Sequence, residues 1–131
     1  MKSLAGTDAS RLAGYQIDVN DEVAVEEFIE KITREEGHLD VLVNAVGGYV
    51  GGIKLWELDT KLFERMLALN LRPAFLLARA VVKRMLAPGK GTIVNVAAKA
   101  AFDHAAGAAA YAASCSCAAK TPDSSTARLS R

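Results

Sequence analysis

The side chain with the clearest chemical capacity in this sequence is the phenol of Tyr111. A free tyrosine has a pKa near ~10, so at neutral pH it is a useful base only where a nearby cation stabilises its phenolate. A cation four residues later would lie one helical turn away, but that position is Cys115. Lys120 falls on the opposite side of a helix, and Lys99 precedes the tyrosine in a loop. The sequence therefore has a thiol, and no cation, four residues after Tyr111.

Several short motifs precede Tyr111. In chain order they are Asp18-Val19, Leu42-Val43-Asn44-Ala45-Val46-Gly47-Gly48, Leu69-Asn70-Leu71 and Thr92-Ile93-Val94-Asn95-Val96. Together with Tyr111 they resemble the short-chain dehydrogenase/reductase family over roughly residues 12 to 114. The resemblance implies a nucleotide-binding α/β fold, NAD or NADP as the cofactor, and hydride transfer to or from a carbonyl or alcohol.

The same resemblance implies contacts with the cofactor. Asp18 and Val19 match the end of the family's third strand, where the aspartate contacts the adenine amino group. Asn44 and Gly47 stand where the family has Asn-Asn-Ala-Gly, at the carboxyl edge of the sheet. The residues also fit simpler roles, because an aspartate caps helices and an asparagine favours the turn that follows a strand. Both interpretations stay open for each position.

Two positions match the family's catalytic residues, namely Asn70 and Tyr111, and two do not. Ala98 stands in place of the serine that polarises the carbonyl, and Cys115 in place of the lysine. The sequence also shows no Thr-Gly-x-x-x-Gly-x-Gly turn for the pyrophosphate, so the resemblance implies a chain shortened at both ends. We therefore predict an oxidoreductase by descent without activity. The alternatives are a non-enzymatic interaction protein and an active reductase that uses a surrogate cation.

Hydrophobic periodicity predicts the elements that position these residues. We expect a strand at Tyr15–Val19, a helix over about 21 to 36 ending at Gly37, and buried strands at Val41–Val43 and Thr92–Val96. A long helix over 59 to 86 should kink or break near Asn70 to Arg72, because Pro73 lacks a backbone donor. This alternation predicts an α/β fold, a partial Rossmann-like parallel sheet of about three strands with two to three helices.

In the family's strand order, two other strands lie between the strand ending at Val19 and the strand at Val41–Val43. Both intervening strands are missing from the sequence, and unpaired buried backbone groups cost on the order of 1–3 kcal/mol each. We therefore expect the first strand either to pair with Val41–Val43 or to detach. Val41–Val43 and Ile93–Val96 should remain parallel neighbours.

Composition bounds the class of protein. The 131 residues carry 16 basic and 15 acidic side chains, a net charge of +1, which gives no electrostatic case for nucleic acid or a membrane surface. We predict a cytoplasmic protein. We also predict no metal site, since Cys115 and Cys117 are too close in sequence for usual ligand spacing. An apolar face on residues 59 to 86 would pair with a second copy or a full-length relative. Residues 1 to 114 are predicted to form the domain, and 115 to 131 a disordered tail without an apolar face.

Overall fold

A computed structural model describes residues 12–102 and 106–119 of the chain. Within these residues the architecture is α/β, as the sequence predicts. The elements are α1 (Glu22–Glu36), β1 (Val41–Asn44), a short 3-10 turn (Leu55–Glu57), α2 (Thr60–Asn70), α3 (Arg72–Leu86), β2 (Thr92–Asn95), a second 3-10 turn (Lys99–Ala101) and α4 (Ala109–Ala119). No helix in the described part of the chain is long and apolar enough to cross a membrane.

Helix α1 begins and ends where the sequence predicts. The carboxylate of Asp21 accepts hydrogen bonds from the backbone N–H groups of Val23 and Ala24, which have no partner within the helix. Gly37 follows the last turn with φ of 80°, a left-handed conformation that favours glycine, and its N–H donates to Thr33. Both ends of α1 are therefore fixed by local chemistry.

The long helix predicted over 59 to 86 is two helices, α2 and α3, separated at Leu71. Pro73 lies in the first turn of α3, where the missing N–H would have had no partner within the helix. The predicted break is therefore confirmed. It also places Asn70 at the carboxyl end of α2, where its side chain turns inward and is buried.

Strands β1 and β2 form a two-stranded parallel sheet among the described residues. Val41 pairs with Thr92, and the register continues to Asn44 with Asn95. The prediction that these two strands are parallel neighbours is confirmed. Because parallel strands end at the same edge, Asn44 and Asn95 lie side by side there.

The hydrophobic core lies between α1, α3 and one face of the sheet. Its buried side chains include Val25 and Ile29 of α1, Val81 and Met85 of α3, and Ile93 of β2. Helix α3 supplies most of it, with eight buried residues along its length. Most of the apolar side chains of α3 are therefore covered within the molecule.

The predicted strand at Tyr15–Val19 is wrong. Residues 12–18 form no regular secondary structure and stand outside the sheet, although Ile17 and Val19 pack against the core. Of the two expected outcomes, detachment is the one observed. The physical reason is that a single strand needs a hydrogen-bonded neighbour, and β1 makes its ladder with β2 alone in the described chain.

Helix α4 continues past the predicted domain end at residue 114, through Cys115 to Ala119. Cys115 and Ala118 are buried along with Ser114 and Ala110, so small side chains at helical spacing supply a packing face. The prediction of a tail without an apolar face rested on the lack of large aliphatic residues after Ser114. The rest of the predicted tail, residues 120–131, lies outside the described residues.

Candidate functional site

A cavity of about 300 Å³ opens at the carboxyl edge of the sheet. Its walls come from the loops that follow the two strands, residues 45–49 and 96–98, together with Asn70 of α2 and the side chains Tyr111, Cys115 and Ala118 of α4. We call this cavity the tyrosine pocket. Tyr111, Asn70 and Gly47 line it, and none of its lining residues carries a charged side chain. Their catalytic and cofactor-binding roles stay predictions.

The environment of Tyr111 favours the neutral phenol. Burial raises its pKa above the usual value of 10.0, and a hydrogen bond with the Cys115 side chain and the nearby Tyr49 act in the same direction. The Tyr49 ring meets the Tyr111 ring edge to face, with 4.8 Å between centroids. The phenolate that base catalysis requires is therefore disfavoured in this pocket.

Asn70 connects three parts of the site through its side chain. Its Oδ1 accepts a hydrogen bond of 2.8 Å from the N–H of Gly48, and its Nδ2 donates to the Ser114 hydroxyl at 3.0 Å. The Ser114 hydroxyl donates in turn to the backbone carbonyl of Tyr111 at 2.9 Å. The loop after β1 that contains Gly47 and Gly48 (the glycine loop), the end of α2 and helix α4 are thus joined by one hydrogen-bond network.

Close packing explains the glycines at the start of this loop. A Cβ on Gly47 would come within 2.8 Å of Asn70 Oδ1, and one on Gly48 within 2.5 Å of the Leu69 side chain. The space that these residues leave is therefore filled by α2 itself. Gly47 serves the packing of loop against helix, in addition to lining the pocket.

Asn44 lies at the pocket edge without lining it. Its Nδ2 donates to Asn95 Oδ1 at 3.3 Å, and its Oδ1 accepts from the N–H of Val46 at the same distance. Both bonds stabilise the turn that leads from β1 into the glycine loop. Asn44 therefore has the turn-forming role that the sequence offered as one of its two interpretations.

Asp18 and Val19 lie apart from the residues that line the pocket. Asp18 Oδ1 accepts from the N–H of Asn20 at 2.9 Å and forms the turn before α1, while Asp21 provides the helix cap. Val19 is half-buried against the core. A local turn role is therefore established for Asp18, and its contact with adenine stays a prediction.

The sequence did not predict two members of the site, Ser114 and Tyr49. Ser114 is fully buried at the centre of the network. Its position three residues after Tyr111 on a helix was the available signal, since a hydroxyl there reaches the carbonyl one turn back. Nothing local indicated that Tyr49 would pack on Tyr111 across the pocket.

Comparison with known proteins identifies the family. The family model described as short chain dehydrogenase matches residues 1–121. The chain belongs to the short-chain dehydrogenase family. At Asn70 and Tyr111 the chain has the residue types that the family resemblance implies, whereas Ala98 and Cys115 differ from them. Ala98 and Cys115 both line the pocket beside Tyr111.

Named relatives of the chain are oxidoreductases. It is 38% identical to D-threitol dehydrogenase from Mycolicibacterium smegmatis over 96 residues, which is 73% of this chain and 36% of that protein. It is 33% identical to 2-dehydro-3-deoxy-L-rhamnonate dehydrogenase (NAD(+)) from Sphingomonas over 114 residues, or 86% of this chain and 46% of the relative. The chain thus spans less than half the length of these relatives.

Solved structures of the family carry nicotinamide dinucleotides. ElxO with NADP bound superposes with a TM-score of 0.85 at 28% identity, covering 91% of this chain and 48% of ElxO. NAD+-bound xylitol dehydrogenase superposes with a TM-score of 0.75 at 30% identity, covering 82% and 41% of the two chains. The arrangement of helices around β1 and β2 is therefore that of the family.

The tyrosine pocket does not fit a whole dinucleotide. Its volume of about 300 Å³ is at the lower end of ligand pockets, and none of its lining side chains offers a cation to a pyrophosphate. The close approach at Gly47 and Gly48 is made by α2 and leaves no cradle for phosphate oxygens.

Proposed function

We propose that this chain is a domain of the NAD(P)-dependent oxidoreductase type that does not transfer hydride as the 131-residue polypeptide. The observation that carries the proposal is that Tyr111 lies in a pocket lined by no charged side chain, where burial and then the neighbouring Cys115 raise the pKa of the tyrosine. Ala98 adds to the effect because it offers no hydroxyl to a substrate oxygen.

The expected size of the loss in catalytic rate supports inactivity. Removing one oxyanion donor or one acid–base group costs about 10²-fold or more in rate, and this site differs from the family at one position of each kind. Family membership supports NAD or NADP as the ancestral cofactor, and a cytoplasmic location remains what the sequence predicts. The small pocket volume and the uncharged lining disfavour binding of either nucleotide by this chain.

The direct test is a turnover assay. The purified chain is mixed with NAD+ or NADP+ and a polyol, with xylitol and threitol chosen because relatives and neighbours are named for them, and reduced nucleotide is followed optically. The reverse reaction is followed with NADH or NADPH and the corresponding ketoses. We expect no rate above the enzyme-free control. Turnover that disappears in Tyr111→Phe would contradict the proposal.

A second function is favoured by one observation on α2 and α3. A groove of about 390 Å³ at their junction is lined by Leu67, Ala68, Leu71, Arg72 and Phe75. Phe75 is 49% exposed although most of α3 is buried. An exposed aromatic beside an apolar groove is typical of an interaction surface. We propose that this groove pairs with a second copy or with a full-length relative if the chain serves as an interaction module.

Size-exclusion chromatography with and without a full-length relative tests this second function. Phe75→Glu should abolish any shared peak, because a charge in the groove opposes burial. Phe102→Glu is the matched control, since Phe102 is also exposed but directly follows the 3-10 turn after β2. Equal behaviour of the two variants would exclude the groove as the contact.

A further inference from the structure

Tyr49 belongs to a stretch of the glycine loop whose backbone is tied down at both ends. At the start, the N–H of Gly48 donates a hydrogen bond to the side chain at the end of α2. At the end, the N–H of Ile53 donates to the Gly107 carbonyl at 3.2 Å, just before α4. Between these ties no backbone–backbone hydrogen bond connects residues 49–52 to another described residue. The movable part of the loop is therefore short, and Tyr49 carries its aromatic ring.

The Tyr49 ring forms one wall of the tyrosine pocket. It meets the Tyr111 ring edge to face, with 4.8 Å between centroids, and it lines the same cavity as Cys115. In the described part of the chain Tyr49 is 65% exposed, whereas Cys115 is 6% exposed. Tyr49 is therefore the outer of these two walls and Cys115 the inner one.

The Tyr49 phenol occupies the space that a side chain at Gly51 would need. A Cβ on Gly51 would overlap the Tyr49 hydroxyl and the ring carbon that bears it. Gly51 does not have the positive φ that favours glycine, unlike its neighbour Gly52. The glycine at position 51 is therefore explained by the place of the phenol and not by a left-handed backbone.

The forces that hold the ring on Tyr111 are modest. An edge-to-face ring pair shifts a conformational population by roughly two- to tenfold. Exposed side chains change rotamer within nanoseconds, and loops move within microseconds. The Tyr49 ring is therefore able to leave Tyr111 and return without unfolding of the elements around the pocket.

We propose that the Tyr49 ring is a gate of the tyrosine pocket, which closes by packing on Tyr111 and swings outward to admit a molecule larger than the resting cavity. The gate concerns access to the pocket and does not depend on whether the chain transfers hydride. A large molecule then enters at the open-state rate multiplied by the open fraction, whereas a small molecule enters without the gate.

The thiol of Cys115 reports entry into the pocket. Cys117→Ser makes it the sole cysteine of the chain, and this variant is the reference. Methyl and benzyl methanethiosulfonate are neutral reagents that form the same type of mixed disulfide with a thiol and differ in size. The ratio of the benzyl rate to the methyl rate therefore cancels the intrinsic reactivity of the thiol. Mass spectrometry follows both reactions.

Tyr49→Ala in the reference chain should raise the benzyl-to-methyl rate ratio at least about threefold, because it removes the gate. Tyr49→Phe is the matched control, since it keeps the ring and should keep the ratio of the reference. Gly51→Ala should also raise the ratio, because its methyl group displaces the phenol while every lining residue is retained. Tyr49→Ala combined with Gly51→Ala should give the ratio of Tyr49→Ala alone.

NMR gives a direct view of the ring. Nuclear Overhauser contacts between the ring protons of Tyr49 and Tyr111 should be present in the reference chain and lost in Gly51→Ala. Circular dichroism verifies that each variant retains the helical fold. An unchanged rate ratio in Tyr49→Ala or in folded Gly51→Ala would overturn the proposal, as would an equal rise in Tyr49→Phe. Acceleration of both reagents by the same factor would indicate a general loosening of the loop and would overturn it too.

Discussion

At the scale of the residue, the exchange of a cation for a thiol beside Tyr111 has a measurable consequence. Burial, together with the contacts from Cys115 and Tyr49, raises the pKa of the phenol, so the folded chain holds its proton at pH values where the unfolded chain releases it. The sign follows: stability is unaffected by this group below pH ~10 and falls as pH rises through the folded-state pKa.

We predict that Cys115→Lys lowers the pKa of Tyr111, because it removes the thiol hydrogen bond and supplies a cation one helical turn away. The measurement is the ultraviolet titration of phenolate, taken as the difference from the same variant carrying Tyr111→Phe. The difference is needed because Tyr15, hydrogen-bonded to Glu35, also has a raised pKa. An unchanged Tyr111 pKa would mean that position 115 does not control the phenol.

A second prediction at this scale concerns Ser114. Ser114→Ala removes the acceptor of the Asn70 Nδ2 hydrogen bond in a fully buried position, and an unpaired buried donor costs about 1–3 kcal/mol of unfolding free energy. Urea denaturation measures the loss. Ser116→Ala, two residues further along α4, is the control and should change stability by less than about 0.5 kcal/mol.

At the scale of the element, core packing restricts which residue can stand at Gly91, in the turn before β2. A Cβ on Gly91 would lie 2.2 Å from the sulfur of Met85, whose side chain is completely buried, so Gly91→Ala must displace a core residue. Such overpacking typically costs about 1–3 kcal/mol. Gly14→Ala is the control because nothing lies within 4 Å of its added methyl group. Thermal unfolding compares the two, and equal transition temperatures would show that Met85 yields freely.

At the scale of the whole molecule, repairing two residues should not restore catalysis. Cys115→Lys combined with Ala98→Ser would return the side chains that the family resemblance implies, but both larger side chains would narrow a pocket of only about 300 Å³, and Gly47 and Gly48 would stay packed on α2. We predict no micromolar affinity for NAD(H) or NADP(H) in the double variant, measured by nucleotide fluorescence. Tight binding would show that the pocket opens on contact with the dinucleotide.

Local sequence determined the elements whose causes are local. Asp21 and Gly37 bound α1, Pro73 divides α2 from α3, and the apolar runs at β1 and β2 become parallel neighbours, each as predicted. These outcomes follow from capping, a missing backbone donor and hydrophobic periodicity, all of which act within a few residues. The types of residue at positions 98, 111 and 115 likewise indicated the family and the expected loss of its chemistry.

Tertiary structure alone decided the rest, because it depends on partners distant in sequence. Whether residues 15–19 become a strand depends on a neighbour to pair with, and whether α4 continues past Ser114 depends on the space that its small side chains find against α2. The network from Gly48 through Asn70 to Ser114 joins residues 22 and 44 positions apart. No local pattern encodes such contacts, since their free energy exists only once the elements have packed together.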